Sequence, residues 1–227
     1  MSNDPKEEAL KLELSREYDL RFTALKEYRE RIWKVLTDDF FQQWVLPGDT
    51  VLDLGCGWGG FINNVNAAKK YGMDLNPSAP NHLNPDVIFL NQDCSKTWEV
   101  PDESLDVIFT SNFFEHLREK DQLKETILQA KRCLKKGGKI VCMGPNIKFL
   151  PGSYWDFWDH YLALTELSLA ELFALCEIEV VQSYPRFLPY TMVARRYMPM
   201  ILVKTYLKLP VVWPLFGRQF LVVGQKI

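Results

Sequence analysis

Apolar positions along this chain change their period several times, and each change marks an element. From about Pro5 to Trp44 they recur three and four residues apart, through Leu10, Leu14, Leu20, Leu25, Tyr28, Ile32, Val35 and Leu36, among charges of both signs. That spacing predicts helix, and Pro47-Gly48 closes the region. Thr50–Leu54 (TVLDL) reads as a short strand running into glycines. Further strands are expected at Lys70–Leu75, Val87–Asn91, Leu105–Thr110 and Lys139–Met143. Between the last two, Glu119–Leu134 predicts a helix with Leu123, Ile127, Leu128 and Leu134 turned inward. Lys135-Lys136-Gly137-Gly138 supplies cations for its negative end and then a glycine stop. A helix over Glu166–Cys176, N-capped by Thr165, and strands at Glu177–Tyr184 and Gln219–Gly224 complete the pattern. Short apolar strands alternating with helices predict an α/β fold, its parallel sheet covered on both faces.

At 227 residues the chain suits one sizeable core and is short for two independent domains. We divide it into an N-terminal helical extension, 1–46, and an α/β domain, 47–227, with an insertion at about 186–218. A 47% hydrophobic fraction with 13% aromatics fits a compact protein. No apolar run approaches a membrane span of about 18 residues, and the charged start MSNDPKEEALKLELSRE lacks a secretory core. A cytoplasmic location is therefore expected. Five scattered cysteines without a Cys-x-x-Cys pair suggest reduced thiols rather than a zinc site.

The net charge of −2 hides an asymmetry. Residues 1–179 carry 20 basic against 29 acidic side chains, a net −9, while residues 180–227 carry seven basic and no acidic ones, a net +7.

The stretch VLDLGCGWGG puts Asp53 at a strand end, before Gly55, Gly57, Gly59 and Gly60. Ligands of open α/β sheets bind beyond the carboxyl ends of the strands, and glycines there let a ligand approach the backbone. Gly55, Gly57 and Gly60 also satisfy the dinucleotide pattern Gly-x-Gly-x-x-Gly. Two acids tip the balance towards S-adenosylmethionine. Asp53 suits an ammonium and a sulfonium better than a pyrophosphate. Asp74, about 20 residues on, is placed to hold both ribose hydroxyls. A glycine turn without any ligand is the plain alternative.

Taken in order, VLDLGCGWGG, YGMDLNP, NQDC, SLDVIFTSNFFEHL and LKKGGKIVCMGPN resemble the motifs of class I S-adenosylmethionine-dependent methyltransferases, over about Val51–Val181. The resemblance implies a Rossmann-like, seven-stranded, mostly parallel sheet flanked by helices, with the last strand antiparallel. It also implies that Asp53, Gly55 and Gly57 contact the methionine part of the cofactor and Asp74 the ribose. Asp93 would accept from the adenine amino group, with the Cys94 N–H on the ring and Asn112 near the methionine end. Cys56 and Leu75 belong to the same cofactor site. FINNVNAAKK departs from the family, being short and rich in asparagine where a first helix is usual.

Methyl transfer to a hydroxyl gains from alignment and from a general base. Three histidines are present. His82 sits in a Pro/Asn-rich loop and reads as a solvated loop residue. His116 follows the cofactor strand in Asn112-Phe113-Phe114-Glu115-His116, and His160 lies in the aromatic segment SYWDFWDHYLALTE. His116 or His160 is the candidate base, and Tyr154, Trp155 and Trp158 the candidate acceptor wall. The bland alternative gives His116 a helix-start role and packs the aromatics in the core. Glu115, His116 and His160 also resemble part of the metal-binding Glu-x-x-Glu-His plus distant His set of small-RNA 3′-end 2′-O-methyltransferases. A similar Glu-x-x-Glu-His occurs in ubiquinone-biosynthesis O-methyltransferases. Here Asn112 replaces the first Glu, which removes one anionic ligand, so no metal is assigned.

The insertion RFLPYTMVARRYMPMILVKTYLKLPVVWPLFGR is basic, apolar and aromatic. It suits an anionic membrane surface on the inner face or an amphipathic acceptor; covering the sheet edge or a dimer interface is the alternative. RNA would use the cations but not the aliphatic run, so nucleic acid is not the expected partner. The insertion and SYWDFWDHYLALTE resemble methyltransferases found with bacterial surface-polysaccharide machinery. That likeness implies a glycan or small-molecule acceptor, such as a sugar hydroxyl on a lipid-linked intermediate. Competing readings are a metal-assisted RNA or quinol methyltransferase, a non-catalytic S-adenosylmethionine-binding scaffold, and, more remotely, a dinucleotide oxidoreductase.

Overall fold

The computed structural model describes residues 26–190 and 198–227. The predicted helical stretch before Lys26, and residues 191–197 of the insertion with Arg195 and Arg196, lie outside the described residues. Seven strands form one sheet: β1 (Thr50–Leu54), β2 (Lys69–Met73), β3 (Val87–Leu90), β4 (Leu105–Ser111), β5 (Leu134–Pro145), β6 (Ile178–Tyr184) and β7 (Gln219–Lys226). Their order is β3-β2-β1-β4-β5-β7-β6. Strands β3, β2, β1, β4 and β5 pair in parallel, while β7 runs antiparallel to both β5 and β6. The direction of winding reverses between β1 and β4, so a crevice is expected beyond their carboxyl ends.

Alternation along the strands sends side chains to two apolar layers. Leu52, Leu54, Ile108, Ile140, Cys142 and Val222 face one core, where helices α2 (Lys120–Cys133) and α3 (Glu166–Leu175) cover them with Leu123, Ile127, Leu169 and Phe173. Val51, Val107, Phe109, Val141, Leu221 and Val223 face the other. Helix α1 (Lys26–Asp39) and the 3-10 turn Phe41–Trp44 close that side. Phe41 is its keystone: its ring lies 4.8 Å from Phe109, 6.3 Å from Phe61 and 6.1 Å from Phe187.

Two local expectations are corrected. No helix follows β1; residues 57–64 run as turns. Asparagines compete with the helix ladder there. Asn63 Nδ2 donates to the His82 carbonyl at 2.8 Å, its Oδ1 accepts from Asn84 N at 2.8 Å, and Asn64 Nδ2 donates to the Gly60 carbonyl at 2.8 Å. The glycine stop is also displaced. Helix α2 ends at Cys133, because buried Leu134 is already extended and paired with Leu105. Gly137, at φ +78°, instead serves the irregular start of β5. The described part of the insertion between β6 and β7, for which no element was predicted, carries α4 (Met200–Leu207), a 3-10 turn at Pro210–Val212 and α5 (Trp213–Phe216). Trp213 plugs it down, its ring 4.8 Å from Phe187 and 5.6 Å from Phe40, its Nε1 donating to the Tyr206 carbonyl at 3.0 Å.

The predicted N-cap of α3 is present as a capping box. Thr165 Oγ1 accepts from Ser168 N at 3.1 Å, and Ser168 Oγ accepts from Thr165 N at 2.9 Å. Five free cysteines are all buried. No helix among the described residues is long and apolar enough to cross a membrane.

Deleting the Phe41 ring removes the joint between α1, the sheet and the insertion. Phe41→Ala should lower stability by about 3–5 kcal/mol, read as a fall in the urea midpoint with an unchanged slope.

Candidate active site

Beyond β1 the backbone turns back through Gly55 at φ +72°, a conformation natural to glycine. A Cβ there would stand 2.3 Å from the Phe113 ring. Gly55 N and Cys56 N donate to the Met73 carbonyl at 2.9 and 3.0 Å, which fastens the turn to β2. Two carboxylates then hold it from inside. Asp74 Oδ2 accepts from Gly57 N and its Oδ1 from Asn76 N, each at 2.8 Å. Asp53 Oδ2 accepts from Ile62 N at 3.3 Å. These bonds fasten the turn where no helix follows it.

Burial disfavours both anions. Asp53, only 4% exposed, is pushed up to about 8; the bond from Ile62 N lowers it, and the Asp74 charge raises it further. Burial likewise raises Asp74, outweighing its bonds from Asn76 and Gly57. A pocket end carrying two raised carboxyls is poised for a cation, which restores the ionised form.

A cavity of about 960 Å³ opens over this turn. The structure brings Asp53, Gly55, Cys56, Gly57, Asp74, Leu75, Asp93, Cys94, Asn112, His116 and His160 together along its wall. Asp93 is set by an Asx turn, its Oδ1 accepting from Ser95 N at 2.9 Å and from Ser95 Oγ at 2.7 Å. Asn112 sits at φ +49° past β4, its Nδ2 donating to Ser111 Oγ at 3.1 Å. Its buried Oδ1 meets no donor among the described residues. An ammonium from a ligand fits that oxygen, and a cationic cofactor fits the Asp53 end.

At the acceptor end, His116 Nδ1 lies 3.0 Å from the Asp159 carboxylate and 3.0 Å from the Asp159 carbonyl. Burial alone would lower His116, but the Asp159 bond and the Glu115 charge outweigh it and hold it above the ordinary histidine value. His160 is buried and stacks on Phe157 at 4.8 Å, with its ring 5.1 Å from His116. The segment carrying it is tied down where Tyr161 N and Leu162 N donate to the Glu115 carbonyl at 2.8 and 3.1 Å. Glu115, His116 and His160 have ligand-type atoms within 4.8 Å of one another.

Part of the expected acceptor wall is elsewhere. Tyr154 is fully buried, its hydroxyl donating to the Leu162 carbonyl, and Trp155 does not line the cavity. Of the three aromatics Trp158 alone reaches it. His82 is no plain loop residue: it stacks on Trp58 at 4.3 Å and lines the cavity. Asp159 escaped the sequence reading, since 43 residues separate it from His116. Gln219 escaped it too. Its Nε2 donates to the Pro189 carbonyl at 3.0 Å, while its buried Oε1 meets no donor among the described residues. Helix α1 also contributes, with Trp33 packed where a Cβ on Gly60 would lie 2.6 Å from its ring. No short motif marks any of these.

A family model described as a methyltransferase domain matches residues 25–183. The chain belongs to the methyltransferase domain family. It has the class I fold of S-adenosylmethionine-dependent methyltransferases, and a methyltransferase of that fold is known in complex with S-adenosylmethionine. Phosphoethanolamine N-methyltransferase 1 of Arabidopsis thaliana is 33% identical over a match covering 48% of this methyltransferase and 25% of that protein. The chain thus spans only about a quarter of that relative's length. Among solved structures, a chain of the complex between the Haloferax volcanii Trm112 methyltransferase activator and a methyltransferase superposes with TM-score 0.67 at 19% identity, covering 93% of this chain and 96% of that one. A SAM-dependent methyltransferase from Archaeoglobus fulgidus gives 0.65 at 19% identity, covering 87% and 94%. Geranyl diphosphate C-methyltransferase from Streptomyces coelicolor gives 0.58 at 14% identity, covering 81% and 75%.

The Asp53 carboxyl should make affinity for S-adenosylmethionine depend on pH. Because the folded value is raised, the unliganded protein loses stability as pH climbs from the ordinary carboxylate range to about 8. A cationic ligand favours the ionised form, so affinity should rise with pH over that window and then level off. Asp53→Asn should weaken S-adenosylmethionine binding by roughly 10–100-fold, the value of a lost charged hydrogen bond. It should also flatten the pH dependence, as calorimetry from pH 6 to pH 9 would record.

Proposed function

We propose that this methyltransferase acts on a hydroxyl oxygen, that of a sugar on a glycan or lipid-linked intermediate. The observation that carries this reading is the His116–Asp159 pair beside the cofactor turn. Bound S-adenosylmethionine supplies a methyl carbon on a sulfonium leaving group, and the acceptor oxygen that takes it must shed a proton. Neutral His116 donates from Nδ1 to Asp159, which leaves Nε2 as the proton acceptor. Asp159 stabilises the imidazolium that results, as a carboxylate does for a catalytic histidine elsewhere. Trp158 offers a face for a sugar ring, and the Gln219 carboxamide oxygen offers an acceptor for one of its hydroxyls. His160, packed edge-on to His116, holds that ring in place or shares the proton.

The base must be neutral to work, and its pKa lies above the ordinary histidine value. Turnover should therefore rise with pH along a limb centred above 6.5. Asp159→Asn removes the carboxylate bond and charge that help to raise it, so the limb should move to lower pH while the rate falls. His116→Ala should cut turnover by about 10²–10⁴-fold and leave S-adenosylhomocysteine affinity unchanged. Transfer of labelled methyl from S-adenosylmethionine to glycan, lipid-linked and phosphoethanolamine fractions measures both variants. Undiminished turnover in His116→Ala, or label in an amine alone, would contradict the assignment.

One observation favours a second reading, a metal-assisted O-methyltransferase. Glu115, His116 and His160 stand close enough to share one divalent cation, and the Asp159 bond to Nδ1 would orient Nε2 as a ligand. In that case a chelator should abolish turnover and a divalent ion restore it. An undiminished rate in excess chelator excludes this reading.

A further inference from the structure

Helix α4 has two unlike faces. Val203 and Tyr206 line the cavity, and Leu207 is buried beneath them. Ile201, turned away from the cavity beside the exposed Lys204 and Lys208, is 67% exposed, and Leu202, on the flank of the helix, is 51% exposed. The apolar surface continues through Leu209 and Val211 to Leu215 and Phe216, all exposed. Single exposed apolar side chains are ordinary, but this many in one short insertion are not.

Charge identifies the occupant. From Val180 to Ile227 the chain has seven basic side chains and no acidic one. Arg186 donates to the Gly217 and Leu215 carbonyls, Lys204 meets Asp39 of α1 at 3.3 Å, Arg218 donates to the Phe149 carbonyl and Lys226 meets Glu103 at 3.2 Å. Arg195 and Arg196 lie outside the described residues, and exposed Lys208 has no ion pair among the described ones. The described insertion thus presents aliphatic side chains together with basic groups and no acidic group of its own. It matches an anionic bilayer, where aliphatic side chains enter the acyl boundary and lysines meet headgroups.

We infer that the outer face of α4, with the turns from Leu209 to Phe216, seats the protein on an anionic lipid surface. The inner face of the same helix is a wall of the catalytic cavity. Docking therefore brings the cavity to the interface, where a lipid-linked acceptor could enter without leaving the bilayer. That last consequence rests on the proposed acceptor; the docking itself does not, and it is measured without turnover.

Sedimentation of the full chain with vesicles provides the test, using phosphatidylcholine alone and phosphatidylcholine with about one-third phosphatidylglycerol. The wild type should pellet with the anionic vesicles, be released by salt, and stay in solution with the neutral ones. Val211→Glu with Leu215→Glu, both outside the cavity, should weaken this binding roughly tenfold or more. Leu175→Glu, on α3, should bind like the wild type. S-adenosylhomocysteine binding by each variant reports its fold. Wild type that binds neither vesicle, or both equally, overturns the inference. So does a double variant that pellets undiminished, or a wild-type dimer that the double variant dissociates in solution.

Discussion

Two buried carboxylates at the ends of β1 and β2 hold this site together. Asp74 reaches across to the Gly57 amide and Asp53 to the Ile62 amide, so the glycine turn is fastened without a helix behind it. Each carboxylate is costly to ionise where it stands. That cost suits the pocket to a cation: a sulfonium or ammonium would offset it, whereas a pyrophosphate would add to it.

The second half of the cavity is assembled from distant segments. Glu115 and His116 follow β4, while Asp159 and His160 arrive from the loop after β5, tied in by hydrogen bonds to the Glu115 carbonyl. Helix α1 and the β6–β7 insertion complete the enclosure through Trp33, Val203 and Tyr206. Phe41 and Trp213 fix these covers to the sheet, so the acceptor side depends on packing as the cofactor side depends on hydrogen bonds.

What the sequence makes legible follows from how local the cause is. Strands such as Thr50–Leu54 and Leu105–Ser111 are read correctly because burial on both faces demands mostly apolar, β-branched or aromatic residues in a short run. The Thr165 cap and the acids beside the glycines are likewise short-range signals. The segment after β1 is misread because asparagine side chains take backbone partners that a helix would need, His82 and Asn84 among them. The stop at Gly137 is misplaced because Leu134 is drawn into the sheet beside Leu105 before the glycines are reached. Asp159 and Gln219 acquire their roles from tertiary contacts over 43 and 30 residues, which no motif encodes. The helices of the insertion are hidden by its prolines, which in the structure fall at helix starts, at Pro199, Pro210 and Pro214.

Calorimetric titration of the full chain with S-adenosylhomocysteine and, separately, with NAD tests most directly whether the paired carboxylates and the glycine turn make a site for a methyl donor rather than for a dinucleotide. One equivalent of S-adenosylhomocysteine should bind per chain, and NAD should give no heat of binding. Saturable NAD binding, or no binding of S-adenosylhomocysteine by folded protein, would contradict it.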